Sequence, residues 1–307
     1  MALDLDEILV KIKDRQWALA DFYWDAPGAE LITDEQRPKL KAFMADLVWI
    51  EQVGGRAFAA MATKTDDDTL REIYTYFHAE EQRHANAELA LMNRWGMLSE
   101  GEIPEPNVNI RLIINWLDRH ADSTPLATLG TIIPMLEVAL DGALLKFLLE
   151  EVHDPLCHQV FSKINADESR HLAVDFHVLE TLGAGPLYRL WINGLGTLLT
   201  PRTLIGLLYY TPLLSKMRDN IIAMGLQEDR LYDAIGRFGR VGDRSPTTGR
   251  NPAYQVLRYH GEMVANRSHP FHRFVGNPLV AVSGYYPRRL LRGLPSWISE
   301  LTHEPAA

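Results

Sequence analysis

The chain has 307 residues, of which 47% are hydrophobic and 23% are charged, and such a composition excludes extensive disorder. Its formal net charge of −9 is uneven: residues 1–200 carry 17 basic against 32 acidic side chains, and residues 201–307 carry 14 against 8. The acidic part excludes a nucleic-acid interface, which needs basic contacts to phosphate. The single cysteine, Cys157, excludes an intramolecular disulfide and a cysteine-based zinc site.

The amino-terminal residues are acidic where a secretory signal would be basic. No stretch of 18 uncharged apolar residues is present, and about that many are needed to cross a membrane. We therefore expect a cytoplasmic protein with no transmembrane segment and no nucleic-acid partner.

The first predicted elements are helices, since alternating strand patterns are nearly absent. Residues 1–33 hold a short amphipathic helix and a loop. Thr33-Asp34-Glu35-Gln36 resembles a capping box and predicts a helix over 34–62. The acidic run 66–68 begins the next helix, and Gly96 ends it. Three further helices follow at 108–119, 122–151 and 154–183.

The later residues remain helical by pattern. Helices are predicted near 186–199, 201–224, 227–239 and 252–266, with a loop at 241–251. We expect an all-α protein with a bundle at 34–185 and additional helices from 186–307 packed against it. Four of the predicted helices have about 26 to 30 residues, or roughly 40 Å each, which is typical of a four-helix bundle.

Two Glu-x-x-His pairs lie on these helices, Glu81 with His84 and Glu168 with His171. Residues i and i+3 share one helix face, so each pair projects a carboxylate and an imidazole side by side. Each pair is preceded by an isolated glutamate in apolar sequence, Glu51 or Glu137, at matched spacings. The pattern is that of a di-iron or di-manganese carboxylate bundle.

The four glutamates fall on the faces that should point into the core. A buried carboxylate without a partner is costly, whereas two divalent ions would balance four carboxylates. Carboxylate-rich sites with one imidazole per metal suit iron or manganese better than zinc. The predicted metal ligands are therefore Glu51, Glu81, His84, Glu137, Glu168 and His171.

The two motif copies, Glu-Glu-x-Arg-His and Asp-Glu-x-Arg-His, resemble those of ferritin-like di-iron carboxylate oxidoreductases, especially acyl-carrier-protein desaturases and arylamine N-oxygenases. The resemblance covers residues 34–182. It implies a ferritin-like four-helix bundle, two iron ions, and oxidation of an organic, apolar substrate by dioxygen through hydroxylation, desaturation or a related reaction. Because the chain shows no flavin, nicotinamide or Fe–S signature, we also expect an external electron donor, a ferredoxin or reductase. Long bundle helices commonly pair as dimers, so a homodimer is expected.

The same resemblance implies that Asp167 accepts a hydrogen bond from His84 and Glu80 one from His171. Glu88 and Asp175, each four residues after a motif histidine, are expected in an inner hydrogen-bonded network. His78, one turn before Glu81 on the same helix face, is expected to be a core residue or to support the site, with a seventh metal ligand as the alternative. Asp141, four residues after Glu137, is the candidate for proton delivery or an extra ligand.

Two alternatives stay open at this point. Iron storage by a ferritin-like protein uses the same motif pairs, although such chains are about half as long. A Mn/Fe ligand-binding oxidase shares the ligand set and is not separated from a di-iron enzyme by sequence. N-oxygenation is disfavoured because Ile164 stands where that family has a third histidine.

Overall fold

The computed structural model describes residues 3–130, 151–181 and 200–225 without a break, the shorter stretches 132–134, 148–149, 268–283 and 285–287, and scattered single positions that include Glu137. All regular structure in these residues is helical, which confirms the all-α prediction. The helices are α1 (Leu5–Asp14), α2 (Arg37–Ala62), α3 (Asp68–Arg94), α4 (Val108–His120), α5 (Pro155–Thr181), α6 (Pro201–Met224) and α7 (Asn277–Ser283). Short 3₁₀ turns precede α2 and follow α4, and a π-helical turn, His272–Gly276, leads into α7.

Helices α2, α3 and α5, with the helical positions at 126–130, 132–134 and Glu137, surround one core. Its largest fully buried side chains are aromatic, among them Trp49, Phe58, Phe77 and Phe161, as the apolar pattern predicts. Helix α1 lies against α3 and α5, and α4 and α6 pack on each other and on α2. The centre of the bundle is therefore covered by elements from both ends of the chain.

The helix ends follow local sequence signals. Thr33 and Gln36 exchange hydrogen bonds, Thr33 N–H to Gln36 Oε1 at 3.0 Å and Gln36 N–H to Thr33 Oγ1 at 3.3 Å, but they form a turn, so α2 begins at Arg37. Helix α3 ends with Gly96 at φ +66°, and the Met97 N–H returns to the Met92 carbonyl at 3.0 Å.

Asp154 joins the end of α3 to the start of α5. This fully buried carboxylate accepts the Leu156 N–H at 3.0 Å at the helix start. It also accepts hydrogen bonds from Arg94 Nε at 2.9 Å and Trp95 Nε1 at 2.8 Å, at the end of α3. Arg94 in turn donates to the carbonyl oxygens of Trp24 and Ala26 in the amino-terminal loop. One buried ion pair thus fixes three segments around the bundle end.

The helix predicted at 201–224 matches α6, and no helix in the described part of the chain is long and apolar enough to cross a membrane. The predicted helix at 186–199 lies outside the described residues, as do most residues of the helices at 227–239 and 252–266 and of the loop at 241–251. The division into 1–33, 34–185 and 186–307 stays a prediction.

Candidate metal centre

The structure brings all six predicted ligands into one buried cluster. Two overlapping groups form, in each of which one potential ligand atom per residue lies within 4.8 Å of the others. Each group contains one histidine, and both share two glutamates. The first group is Glu51, Glu81, His84 and Glu168, and the second is Glu81, Glu137, Glu168 and His171.

Glu168 lies between the two histidines. Its Oε1 is 3.0 Å from Nδ1 of His84, and its Oε2 is 3.2 Å from Nδ1 of His171. Glu51 Oε2 lies 3.5 Å from Nδ1 of His84, and Glu81 Oε1 lies 3.3 Å from Nδ1 of His171. Both Nδ1 atoms therefore point into the carboxylate cluster from opposite sides.

The other nitrogen of each ring is held by a carboxylate from the opposite motif. His84 Nε2 donates to Asp167 Oδ2, and His171 Nε2 donates to Glu80 Oε2, both at 3.0 Å. Arg170 reaches both acceptors, forming a close pair with Asp167 and lying 3.5 Å from Glu80. A proton on Nε2 leaves the Nδ1 lone pair directed into the cluster, as a metal ligand requires.

Sequence reasoning missed two residues of this network, both just after α1. Trp17 Nε1 donates to Asp167 Oδ2 at 2.8 Å, and the indole lies parallel to His84 with ring centroids 6.1 Å apart. Gln16 Nε2 donates to Glu80 Oε1 at 2.6 Å, and Gln16 Oε1 accepts from Arg83 Nη1 at 2.9 Å. The amino-terminal loop thus contacts the acceptors of both histidines.

Burial and neighbouring charges shift the pKa values of Glu81 and Glu168 in opposite directions. Burial raises the pKa of Glu81 well above its ordinary value, and the neighbouring Glu51 and Glu168 raise it further. Burial also opposes ionisation of Glu168, but the nearby His171 and His84 outweigh it and lower the pKa of that carboxyl. Glu81 therefore tends to take a proton, whereas Glu168 stays charged.

The pKa values of both histidines are raised, which favours their protonated forms. Burial opposes their charge, but Asp167, Glu168 and Glu51 outweigh it and raise the pKa of His84 well above its ordinary value. Burial also opposes the charge of His171, but Glu168 and Glu80 outweigh it and raise the pKa of His171 to about 9. Positive charge is thus favoured at this place in the core.

The remaining candidates occupy different surroundings. His78 Nδ1 lies 2.9 Å from the Gly55 carbonyl and is outside both ligand groups. Glu88 and Asp175 are fully buried one turn after each motif histidine. Burial raises the pKa of Asp175 to about 7, although interactions with the Glu137 carboxyl and with the nearby His171 oppose the rise. Asp141 lies outside the described residues.

An apolar cavity of about 30 Å³, the inner cavity, adjoins the cluster. Its floor includes Glu51, Glu81 and Glu137, and α4 and α6 contribute Ile110, Ile113 and Leu213 to its walls. Space of this size accommodates one or two small molecules and not an extended chain. Two helices that carry none of the six predicted ligands, α4 and α6, thus line the cavity beside the cluster.

The donor set tests whether these residues fit metal ions. Both histidine Nδ1 atoms and both Glu168 oxygens are buried without a well-directed hydrogen bond in the described structure. Natural cores leave few such atoms unsatisfied, and each calls for a partner such as an ion. The oxygens and imidazoles present, in two groups sharing two carboxylates, fit a pair of iron or manganese ions.

Comparison with known proteins agrees with the fold. No protein-family model and no curated protein matches the chain. A solved variant of an R2-like ligand-binding oxidase, with an aerobically reconstituted Fe/Fe cofactor, is 15% identical over 86% of this chain and 91% of its own, with a TM-score of 0.52. Another variant, with an anaerobically reconstituted Mn/Fe cofactor, is 14% identical with the same coverage and score. The predicted ferritin-like fold is thereby confirmed.

Proposed function

We propose that the cluster binds two iron ions and that the protein is a dioxygen-dependent oxidase or oxygenase of an organic substrate. One ion would be held by Glu51 and His84, the other by Glu137 and His171, with Glu81 and Glu168 shared. The observation that best supports this proposal is the position of Glu168, whose two oxygens each face the Nδ1 atom of a different histidine. Manganese in place of one iron is compatible with the same ligands.

Such an ion pair supplies reducing electrons to dioxygen when it is bound. The chain's own groups orient and protect it. Asp167 and Glu80 fix the tautomer of the two histidines. Burial opposes the ionisation of these two carboxyls, but hydrogen bonds from the histidines outweigh it and lower the pKa of both. Phe77 and Phe58 lie 4.0 and 5.3 Å from the His171 ring, centroid to centroid, and exclude water there.

Proton control is assigned to Asp175. Its pKa of about 7 lets this carboxyl bind or release a proton near neutral pH, and its interaction with the Glu137 carboxyl connects it to the cluster. Asp141 remains a sequence-based candidate for the same task.

The substrate is proposed to be organic and apolar, because aliphatic side chains line the inner cavity. Hydroxylation, desaturation and related oxidations all suit such a site. An external ferredoxin or reductase is required as electron donor, since the sequence has no recognisable flavin or nicotinamide motif. A cytoplasmic location and a homodimer complete the proposal.

Metal analysis tests the proposal directly. Protein loaded anaerobically with Fe²⁺ and desalted should contain about two iron ions per chain and consume dioxygen on exposure to air. Glu168→Ala should lose both ions, because it removes a ligand from each, whereas Glu51→Ala should retain close to one. Glu72→Ala, an exposed glutamate on α3, is the matched control and should retain two. Equal iron content in all four proteins would contradict the proposal.

A further inference from the structure

The carboxy-terminal third of the chain contains a long stretch without acidic residues. Residues 263–299 hold five arginines, five aromatic residues and no aspartate or glutamate. By contrast, residues 1–200 carry 17 basic against 32 acidic side chains. The structure describes the middle of the stretch, residues 268–283 and 285–287. A basic and apolar region therefore stands near one end of an otherwise acidic chain.

Within this stretch, helix α7 directs apolar side chains into solvent. Its sequence is Asn-Pro-Leu-Val-Ala-Val-Ser, and none of its residues is buried. Pro278, Ala281 and Val282 are exposed and, at positions i, i+3 and i+4, share one helix face. Leu279 and Val280, which lie between them in sequence, are half-buried. The exposed face of α7 is thus apolar, whereas the outer face of a surface helix is normally polar.

Two aromatic side chains flank α7 and are exposed as well. Phe274 precedes the helix and is 70% exposed, and Tyr285 follows it and is 87% exposed. The Arg273 guanidinium lies over the Phe274 ring, 5.4 Å from its centroid. A single exposed apolar residue is ordinary, but several within twelve positions indicate an interaction surface. This surface, the apolar ridge, consists of Phe274, Val275, Pro278, Ala281, Val282 and Tyr285.

The apolar ridge is held on α6 by the π-helical turn that leads into α7. His272 in this turn is buried, its Nε2 donates to the Met263 carbonyl at 2.9 Å, and its Nδ1 accepts from Ser215 Oγ at 3.2 Å. Gly276 packs so closely on Ser215 that a Cβ atom there would lie 2.6 Å from the hydroxyl oxygen. The exposed side chains therefore extend from a firmly packed base and are in place before anything binds.

The composition of the apolar ridge favours a lipid bilayer as its partner. Apolar and aromatic side chains that extend into solvent insert readily between lipid headgroups, and aromatic rings prefer this interfacial region. Anionic headgroups attract the arginines of the same stretch, among them Arg273, Arg288 and Arg289, and repel the acidic residues 1–200. The uneven charge of the chain would thus turn the apolar ridge towards the membrane.

The length of α7 fits an interfacial position. Seven residues extend about 10 Å, whereas the hydrocarbon core of a bilayer is about 30 Å thick. Helix α7 can therefore lie among the headgroups but cannot cross the bilayer.

We propose that the apolar ridge docks the protein on an anionic lipid bilayer. Phe274, Val282 and Tyr285 insert among the headgroups, and Arg273 pairs with lipid phosphate. The apolar ridge contains none of the metal-ligand candidates, so this proposal goes beyond the proposed oxidase function and does not depend on it.

Vesicle flotation of the full-length, iron-loaded protein tests the docking. Vesicles of phosphatidylcholine alone are compared with vesicles that contain about one third phosphatidylserine. We expect the anionic vesicles to bind the protein about tenfold more tightly at roughly 0.05 M salt, and roughly 0.5 M salt to remove most of this difference.

Substitutions in the apolar ridge separate its two contributions. Phe274→Ser should weaken binding to anionic vesicles by about tenfold, because it removes a large apolar side chain from the contact. Arg273→Gln should weaken it by about fivefold, the usual effect of one basic residue near an anionic membrane. Tyr23→Ser, at a residue 71% exposed in the amino-terminal loop, and Arg119→Gln, at an exposed residue of α4, are the matched controls and should bind as the parent does.

A fluorescent label tests insertion. The single native cysteine, Cys157, is buried, so an environment-sensitive dye should react selectively with a cysteine introduced on the surface. The dye on Val282→Cys should shift its emission to shorter wavelength when anionic vesicles are added, and the dye on Tyr23→Cys should not. Because all the substituted side chains are exposed, each variant should keep the melting temperature of the parent.

Three results would each overturn the inference: no binding to anionic vesicles, equal binding by Phe274→Ser and the parent, or binding that is indifferent to lipid charge and salt. A Val282→Cys dye that does not respond to vesicles would overturn it as well. A dye response that grows with protein concentration in the absence of vesicles would assign the apolar ridge to contact between two copies of the chain instead.

Discussion

Each histidine of the cluster is held at Nε2 by Asp167 or Glu80, and its Nδ1 lies among the ligand carboxylates. The acceptors are fixed in turn, because Trp17 binds Asp167 and Gln16 binds Glu80. The two halves of the site are therefore built alike, each with one ring, one acceptor and one anchoring side chain from the amino-terminal loop.

We expect Asp167→Asn and Glu80→Gln each to weaken iron binding by about 10- to 100-fold while leaving all six ligands in place. An amide acceptor is neutral, so it stabilises the Nε2–H tautomer less than a carboxylate does. The measurement is competition for Fe²⁺ with a chelator of known affinity. Glu72→Gln, on an exposed part of α3, should bind iron as the parent does. Unchanged affinity in both variants would show that the two carboxylates have only a structural role.

The sequence predicts the six clustered side chains because their spacing is a helical one. A Glu-x-x-His pair fixes its own geometry within a single turn, and a buried glutamate is conspicuous in apolar sequence. Trp17 and Gln16 carry no such signal, since they follow the end of α1 and reach the site only through tertiary contacts. Asp141 is a candidate only through the resemblance to related enzymes, and it stays a prediction.

Among the elements, the helix ends are predictable for a related reason. Capping depends on three or four neighbouring residues, so Asp67, Gly96 and Asp154 mark ends that the structure places within a few residues. The packing of α4 and α6 over the cluster, in contrast, cannot be predicted from local sequence. Nothing local in Ile110 or Leu213 distinguishes a cavity wall from an ordinary core contact, and only the fold brings them to Glu137.

Asp154 allows a prediction about how two of these elements are held together. Asp154→Ala removes the cap of α5 and leaves the buried Arg94 without its counterion, which should cost about 3–5 kcal/mol of unfolding free energy. Asp154→Asn keeps a capping side chain and should cost about 1 kcal/mol less. Urea denaturation at pH 7 measures both. Asp122→Asn breaks an exposed ion pair with Arg56 and should change stability by less than about 1 kcal/mol.

The same contact predicts a pH dependence. Burial opposes ionisation of Asp154, but hydrogen bonds from Arg94, Trp95 and the Leu156 N–H outweigh it, so the pKa is lower in the folded protein than in the unfolded chain. The stabilisation is then complete above the unfolded pKa of about 4 and is lost as the pH falls below it. The difference in stability between the parent and Asp154→Asn should therefore shrink between pH 5 and pH 3. A difference independent of pH would contradict this assignment.

At the scale of the whole molecule, the bundle encloses more negative charge than a core normally tolerates. Four ligand carboxylates lie in two overlapping groups, and Asp167, Glu80 and Asp175 are buried around them. Without metal, the raised pKa values of Glu81, His84 and His171 show how the fold compensates, by binding protons. Metal ions and protons therefore compete for the same sites.

This competition predicts how metal stabilises the protein as the pH changes. The pKa of His171, about 9 in the folded metal-free chain, is above its ordinary value, so its proton stabilises the folded state fully below pH 6.5, and this contribution is lost as the pH rises through 9. A metal ion must displace that proton from Nδ1, which is harder at low pH. Iron should consequently raise the melting temperature by about 4 °C at pH 8, where free metal at 100 times its dissociation constant contributes about 2.7 kcal/mol. At pH 5.5 the increase should be much smaller.

Anaerobic calorimetry with and without Fe²⁺ measures both values, and Glu168→Ala, which lacks the shared ligand, should show no increase at either pH. An increase in the parent that is equal at both pH values would mean that the metal binds elsewhere than at these histidines.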